Sequence, residues 1–120
     1  MTEREYMKHI YHLAPAARWR EWPAGTPYLP AEYNADGFVH CTAGEELMVQ
    51  VANRYYRAEP GDFVLLVIDP TRLTSELRWE DSGDNLAPQF PHIYGPIDRE
   101  AIVGVRQMRR AESGEFMGWR

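Results

Sequence analysis

One short run of apolar residues constrains the fold of this chain more than any other feature. Phe63–Ile68 is apolar at every position, and it lies between Pro60-Gly61 and Asp69-Pro70, which are typical breakers of regular structure. Side chains of a strand alternate between two faces, so apolar residues at both parities predict a strand covered on both sides. Such a strand is expected in the centre of its sheet.

The clearest helix signal precedes that run. Thr42 and Glu45 have the spacing of a capping box, which predicts a helix beginning near Thr42. The apolar residues that follow recur at helical spacing along one side: Leu47, Met48, Val51, Ala52 and Tyr55. We expect this side to pack on the sheet. A weaker helix is predicted over residues 16–22.

The remaining segments predict short strands joined by loops. Strand patterns cover residues 10–13, 37–41, 77–80, 90–97 and 101–109, and residues 114–120 suggest a tail or the return of a hairpin. Residues 26–36 contain Pro27 and Pro30 and are expected to form a loop. The pattern indicates a single α+β domain over residues 1–120.

Charge and cysteine content exclude several classes of protein. The formal net charge of -5, from 18 acidic and 13 basic residues, disfavours a nucleic-acid-coating or membrane-surface protein. The single cysteine, Cys41, excludes an internal disulfide and fits a reducing compartment. Residues 1–8 lack an apolar signal region, and no run approaches the length of a membrane span. We expect a soluble, cytoplasmic protein with no membrane partner.

Two segments place a histidine where packing alone would favour Val or Ile. In Asp36-Gly37-Phe38-Val39-His40-Cys41-Thr42, strand parity puts His40 on one face and Cys41 on the opposite face, towards the core. The free N–H groups of the helix expected after Thr42 would attract an anion such as phosphate. The alternative is a core histidine satisfied by a main-chain carbonyl.

The second segment is Phe90-Pro91-His92-Ile93-Tyr94-Gly95-Pro96-Ile97. His92 and Tyr94 share a face, and the flanking prolines predict an edge strand or a strand end. A histidine and a phenol side by side can donate and accept protons near neutral pH. Here too packing alone remains an alternative.

Three further residues complete the predicted site. His12 lies on the opening strand and is expected close to a pocket lined by His40, His92 and Tyr94. Arg78 and Glu80 share a strand face, where they form either an exposed ion pair or, through Arg78, an anion ligand. We expect the ligand to be a small anionic molecule or nucleotide.

The chain as a whole resembles a known family. Ile10-Tyr11-His12, Gly37-Phe38-Val39-His40, Ala52-Asn53-Arg54-Tyr55-Tyr56, Leu77-Arg78-Trp79-Glu80 and the segment from Phe90 to Ile97 are similar, in order and spacing, to the small bacterial family of unknown function called DUF952. That family is similar in fold to the ADP-ribosyltransferases. The resemblance implies two split, curved antiparallel sheets with one main helix around a cleft that binds NAD.

The resemblance also implies roles for individual residues. His12, with Tyr11, matches the element that holds a ribose, His40 matches the group beside the nicotinamide, and His92 matches the late-strand catalytic position. The family often has Lys where this chain has His12, and no Glu lies in the late segment. Loss of that carboxylate argues against protein ADP-ribosylation and favours a nucleotide-binding cleft, with ribosyl or phosphoryl transfer as the possible reaction.

Two other functions stay open on the sequence alone. His12, His40 and His92 could form a three-histidine metal site that activates water for hydrolysis. Alternatively, the chain could be a non-catalytic interaction module that binds a partner through the aromatic loop of residues 28–33.

Overall fold

Two antiparallel sheets and one long helix form the fold, which confirms the α+β class. The computed structural model describes residues 9–120. The large sheet has the strand order β1-β3-β6-β7 and the small sheet the order β2-β5-β4. The strands are β1 Ile10–Pro15, β2 Val39–His40, β3 Phe63–Ile68, β4 Glu76–Glu80, β5 Phe90–Tyr94, β6 Ile102–Arg110 and β7 Phe116–Trp119.

Strand β3 lies between β1 and β6, as its apolar sequence predicts. One of its faces, with Val64, Leu66 and Ile68, packs against the inner face of the small sheet, where Val39 and Ile93 lie. The other face carries Phe63 and Leu65, which pack against the long helix. The molecule therefore has three layers, with the large sheet in the middle.

The long helix, α3, covers Glu45–Tyr55 and buries Met48 and Ala52. It begins two residues later than the capping box predicts, and no side chain caps its first turn. The main chain of Thr42 instead pairs with Tyr11, in two hydrogen bonds of 2.8 Å. Gly44 then turns the chain at a φ of 102°, a conformation that residues other than glycine rarely adopt.

Other predictions need smaller corrections. The first helix, α1, covers Ala16–Glu21, and the expected loop of residues 26–36 ends in a short helix, α2, over Tyr33–Asp36. Strand β5 is the central strand of the small sheet, although its prolines predicted an edge strand or a strand end. Pro91, near the start of this strand, removes one N–H donor, while its carbonyl still accepts the Cys41 N–H at 3.1 Å.

Residues 1–8, on which the expectation about a signal region rests, lie outside the described part of the chain. Within residues 9–120, no helix is long and apolar enough to cross a membrane.

Candidate functional site

The outer face of the small sheet collects the polar side chains that the strand patterns singled out. His40 on β2 lies directly opposite His92 on β5, and Arg78 on β4 lies opposite His92 from the other side. The imidazole rings of His40 and His92 are 5.5 Å apart between centroids. Because both strands expose the same parity to this face, the two histidines that the sequence placed in separate segments become neighbours.

Each of these histidines is held by a carboxylate. Asp36 Oδ2 lies 3.0 Å from His40 Nε2, and Glu80 Oε1 lies 2.8 Å from His92 Nδ1. An ionised carboxylate only accepts hydrogen bonds, so the bonded ring nitrogen carries the proton. In its neutral form, His92 therefore presents Nε2 as a hydrogen-bond acceptor.

Glu80 also binds the phenol that the sequence paired with His92. The Tyr94 hydroxyl donates to Glu80 Oε1 at 2.6 Å. This bond and the one from His92 lower the pKa of Glu80, since both stabilise the ionised carboxylate. The same bond raises the pKa of Tyr94. One carboxylate thus orients both His92 and Tyr94.

Phe38 covers this cluster from outside. Its ring stacks on His92 with centroids 4.1 Å apart and lies 4.6 Å from the ring of His40. This stacking helps to leave the His92 side chain only 6% exposed, whereas that of His40 is 49% exposed. Strand parity indicated that Phe38 shares a face with His40, but it was not predicted as a site residue.

His40 and His92 both line a pocket of about 450 Å³, whose lining residues come from the small sheet, from the end of β1 and from α3. We call it the helix–sheet pocket, and its size is typical of sites for small molecules. Its lining residues are Leu13, Pro15, Glu32, Asp36, His40, Cys41, Thr42, Val51, Tyr55, Tyr56, Glu59, Ser82, Asp84, Phe90 and His92.

Thr42 is the third predicted site residue in the pocket, but it is not at a helix start. Its side chain is buried, and its hydroxyl makes no hydrogen bond with residues 9–120. Cys41 is buried beside it, as parity predicted, and burial raises the pKa of its thiol. A phosphate site built from helix N–H groups is therefore not formed at Thr42.

Tyr11 and His12 lie away from the pocket lining. Tyr11 packs its ring 5.3 Å from that of Trp119 on the helix side of the large sheet. His12 is buried between the sheets, and its Nδ1 donates to the His40 main-chain oxygen at 2.7 Å. Burial lowers the pKa of His12, which favours the neutral ring. Of the three histidines, His12 is thus the one that a main-chain carbonyl holds, through Nδ1, while its buried Nε2 has no partner among residues 9–120.

Arg78 and Tyr94 border the cluster without lining the pocket. Arg78 donates from Nε and Nη2 to the Glu76 carboxylate, both at 3.0 Å, and its guanidinium lies 4.4 Å from the Tyr94 ring centroid. The predicted Arg78–Glu80 ion pair is therefore wrong, because Glu76 takes the arginine and Glu80 takes His92.

Four acidic residues from separate parts of the chain were missed by sequence reasoning. Glu32, Asp36, Glu59 and Asp84 all reach the pocket, together with Tyr55 and Tyr56 of the helix end. Burial, followed by Glu32, Glu59 and Asp36, raises the pKa of Tyr56 to about 12. Tyr55 donates to Asp84 at 2.7 Å. No spacing motif links these residues, so only the fold brings them together.

The described residues give little support to the two alternative functions, a three-histidine metal site and an interaction module. No group of three His, Cys, Asp or Glu side chains converges as a metal site between residues 9 and 120. In the aromatic loop, Tyr28 is fully buried and packs edge-on against Trp19 and Trp22. Tyr28 is therefore a core residue and not a surface for a partner.

Comparison with known proteins gives a fold and a family. The chain is similar to the protein CC0527 from Caulobacter crescentus. A crystal structure of that protein has a TM-score of 0.76 and 26% identity, with 91% of this chain and 93% of that one covered. Its solution NMR structure has a TM-score of 0.69 and 28% identity, with 90% of each chain covered.

No curated protein matches the chain. The family described as protein of unknown function, DUF952, matches residues 13–105. This match spans β1 to β6 and includes His40, His92, Glu80 and Tyr94. The chain therefore belongs to the DUF952 family.

Proposed function

We propose that this protein binds a small organic ligand in the helix–sheet pocket, and that His40 and His92 exchange protons with it. The observation that carries this proposal is their arrangement. The two imidazoles are neighbours across β2 and β5, each bonded to its own carboxylate, and both line the same pocket. A histidine oriented by a carboxylate is a common form of general acid or base.

The two histidines suit different roles because their surroundings differ. His40 is half exposed, and its Asp36 partner is also near solvent, so His40 can exchange protons with water. His92 is buried beneath Phe38 and is oriented by Glu80, and its Nε2 has no hydrogen-bond partner within residues 9–120. We assign His92 to the proton transfer with the ligand and His40 to the supply or removal of that proton.

The resemblance to ADP-ribosyltransferases makes NAD or a related nucleotide the first ligand class to test. Two antiparallel sheets of the expected kind support such a fold. Glu80, from β4, also brings a carboxylate to the late-strand histidine, where the linear sequence shows none. In a ribosyl transfer, the bond from ribose C1′ to the base breaks, the acceptor oxygen bonds to C1′, and a histidine takes the acceptor's proton.

The charges of the pocket indicate which end of such a nucleotide would enter. The lining includes four carboxylates and neither Lys nor Arg. Arg78, expected to hold a phosphate, is engaged by Glu76 outside the lining. We therefore propose that the nicotinamide-ribosyl end occupies the pocket and that the pyrophosphate stays at its mouth.

Thermal-shift and calorimetric titrations with NAD, nicotinamide riboside and ADP-ribose test this function. A ligand that binds only the native state at 100 times its Kd stabilises it by about 2.7 kcal/mol. We expect NAD and nicotinamide riboside to raise the melting temperature and His92→Gln to abolish the rise. His9→Gln is the matched control, since His9 is not in the lining. Equal rises in wild type and His92→Gln would contradict the proposal.

A further inference from the structure

The helix–sheet pocket contains free negative charge. Of its four carboxylates, Asp36 is bonded to His40 and Asp84 to Tyr55. The carboxylates of Glu32 and Glu59 make no hydrogen bond or ion pair with any residue from 9 to 120. Both residues are exposed, and two unneutralised carboxylates in one pocket lining create a potential, screened by salt, that attracts cations and repels anions.

The pKa of Tyr56 indicates that several of these carboxylates lie close to its hydroxyl. Its pKa is raised by Glu32, Glu59 and Asp36 in addition to burial, although the three residues come from different parts of the chain. Arg110, which contacts the main chain beside Tyr56, makes no ion pair with them. Its guanidinium donates to main-chain carbonyls of Tyr56 and Glu59 and is not part of the lining.

A free acceptor on a mostly buried side chain independently points to a ligand in the same place. The side chain of His92 is more than nine-tenths buried and lines the pocket, and Glu80 holds the proton on Nδ1. Nε2 is thereby left as an acceptor with no donor in the described chain. This nitrogen is not one of the fully buried polar atoms, although the side chain as a whole is buried, so a ligand N–H could reach it.

The rest of the lining is suited to an apolar body. Leu13, Val51 and Phe90 form apolar walls, and the aromatic rings of Tyr55 and Tyr56 lie at the helix end. Aromatic rings are favourable neighbours for an organic cation. The negative charge, the free acceptor of His92 and the apolar lining are thus all suited to an organic cation.

We infer that the helix–sheet pocket recognises an organic cation, a protonated amine or amidine on an apolar body, through Glu32, Glu59 and the free Nε2 of His92. This inference rests on the proposed function only in taking this pocket as the ligand site. It does not require the ligand to be a nucleotide, and it concerns recognition only.

A series of three probes of similar size and different charge tests the inference. Benzylamine is cationic, benzyl alcohol is neutral and benzoate is anionic at neutral pH. Titrations followed by 15N amide shifts should show saturable changes around Thr42, Tyr56 and His92 with benzylamine, weaker changes with benzyl alcohol and none with benzoate. Added salt should weaken benzylamine binding, because the attraction is electrostatic.

Variants separate the local charge from the net charge. Glu32→Gln/Glu59→Gln should lower benzylamine affinity about tenfold, which is the loss of roughly 1.4 kcal/mol of attraction. The control Glu112→Gln/Glu115→Gln changes the net charge equally on exposed residues outside the lining, and it should have no effect. Circular dichroism checks that both variants are folded.

Three results would overturn the inference: benzoate binding as tightly as benzylamine, equal losses in the pocket and control variants, or no saturable shift with benzylamine. If benzylamine binds in the pocket while NAD and nicotinamide riboside do not, the inference stands and the proposed nucleotide ligand is wrong. If the nucleotides bind and benzylamine does not, the reverse holds.

Discussion

The central strands of the two sheets use the same alternation of side chains for different purposes. In the large sheet, β3 is apolar on both faces and is covered by the small sheet on one side and by α3 on the other. In the small sheet, β5 sends Ile93 to the core and His92 and Tyr94 to the outer face. The large sheet therefore supports the fold, while the outer face of the small sheet is free to carry chemistry.

That difference has an energetic consequence. Burying a polar group without a partner costs more than leaving it in water, so a buried histidine must be bonded. His92 meets this requirement through Glu80, which also holds Tyr94. On β3, the residues are satisfied by packing alone. Substitutions in β3 should affect stability, and those on the outer face of β5 should chiefly affect binding.

The largest expected effect is at the centre of the large sheet. Leu66 is fully buried on β3, and its cross-strand partner Val105 on β6 is 44% exposed. Leu66→Ala should lower the free energy of unfolding by about 2–5 kcal/mol, since it leaves a cavity. Val105→Ala, the matched control, should cost about 0.5 kcal/mol or less. Urea denaturation measures both, and similar losses would show that the burial of β3 does not set the cost of a truncation on this face of the sheet.

Arg110, at the end of β6, stabilises the large sheet through hydrogen bonds, whereas β3 is stabilised by apolar packing. Arg110 on β6 donates to the main-chain carbonyls of Tyr56, Arg57, Glu59, Gly61 and Gly114. Arg110→Lys removes the planar fork, and it should cost about 1.5–3 kcal/mol. The neighbouring Arg109→Lys should change stability by less than about 0.5 kcal/mol. Denaturation curves that coincide for the two variants would contradict this role for Arg110.

The sequence predicted the parts of the fold that depend on local pattern. The apolar run Phe63–Ile68 correctly gave a central strand, and strand parity correctly put Cys41 in the core. Parity also placed His40 and His92 each on a defined face, and strand pairing then made them neighbours. These features follow from alternation along one strand, which a single sequence shows directly.

The features that the sequence did not reveal depend on contacts between distant segments. Glu32, Glu59 and Asp84 lie in separate loops, so their meeting in one pocket requires the completed fold. The pairing of Arg78 was mistaken because Glu76 and Glu80 are equivalent in spacing and parity. In the fold, His92 lies beside Glu80 and binds it, so Glu76 is the carboxylate that pairs with Arg78.

An intermediate effect is expected from the histidine buried between the two sheets. The pKa of His12 is lowered by burial, so the folded state binds a proton less readily than the unfolded chain. Above about pH 6.5 both states are neutral, and His12 does not make stability depend on pH. As the pH falls below that value, the unfolded chain takes up the proton first and stability is lost, by up to about 1.4 kcal/mol per pH unit.

Urea denaturation between pH 7.5 and 5 measures this dependence. His12→Gln retains an amide donor for the His40 carbonyl and removes the titration, so its stability should fall less steeply with acid than that of wild type. His9→Gln is the control and should keep the wild-type slope. Parallel curves for wild type and His12→Gln would show that His12 does not resist protonation in the fold.

The smallest expected effect concerns the helix cap that the sequence predicted at Thr42 and the structure does not contain. A Thr42 hydroxyl that capped α3 would be worth about 0.5–2 kcal/mol. In the structure, the helix begins at Glu45 after Gly44, and the hydroxyl has no partner within the described chain. Thr42→Val should therefore change the free energy of unfolding by less than about 0.5 kcal/mol, because no hydrogen bond is lost.

Thr71→Val is the positive control for this prediction. The Thr71 hydroxyl donates to Asp69 at 2.7 Å, and loss of this hydrogen bond should cost about 0.5–1.5 kcal/mol. A loss at Thr42 that exceeds the loss at Thr71 would restore the capping box, and with it an anion site at the start of the helix.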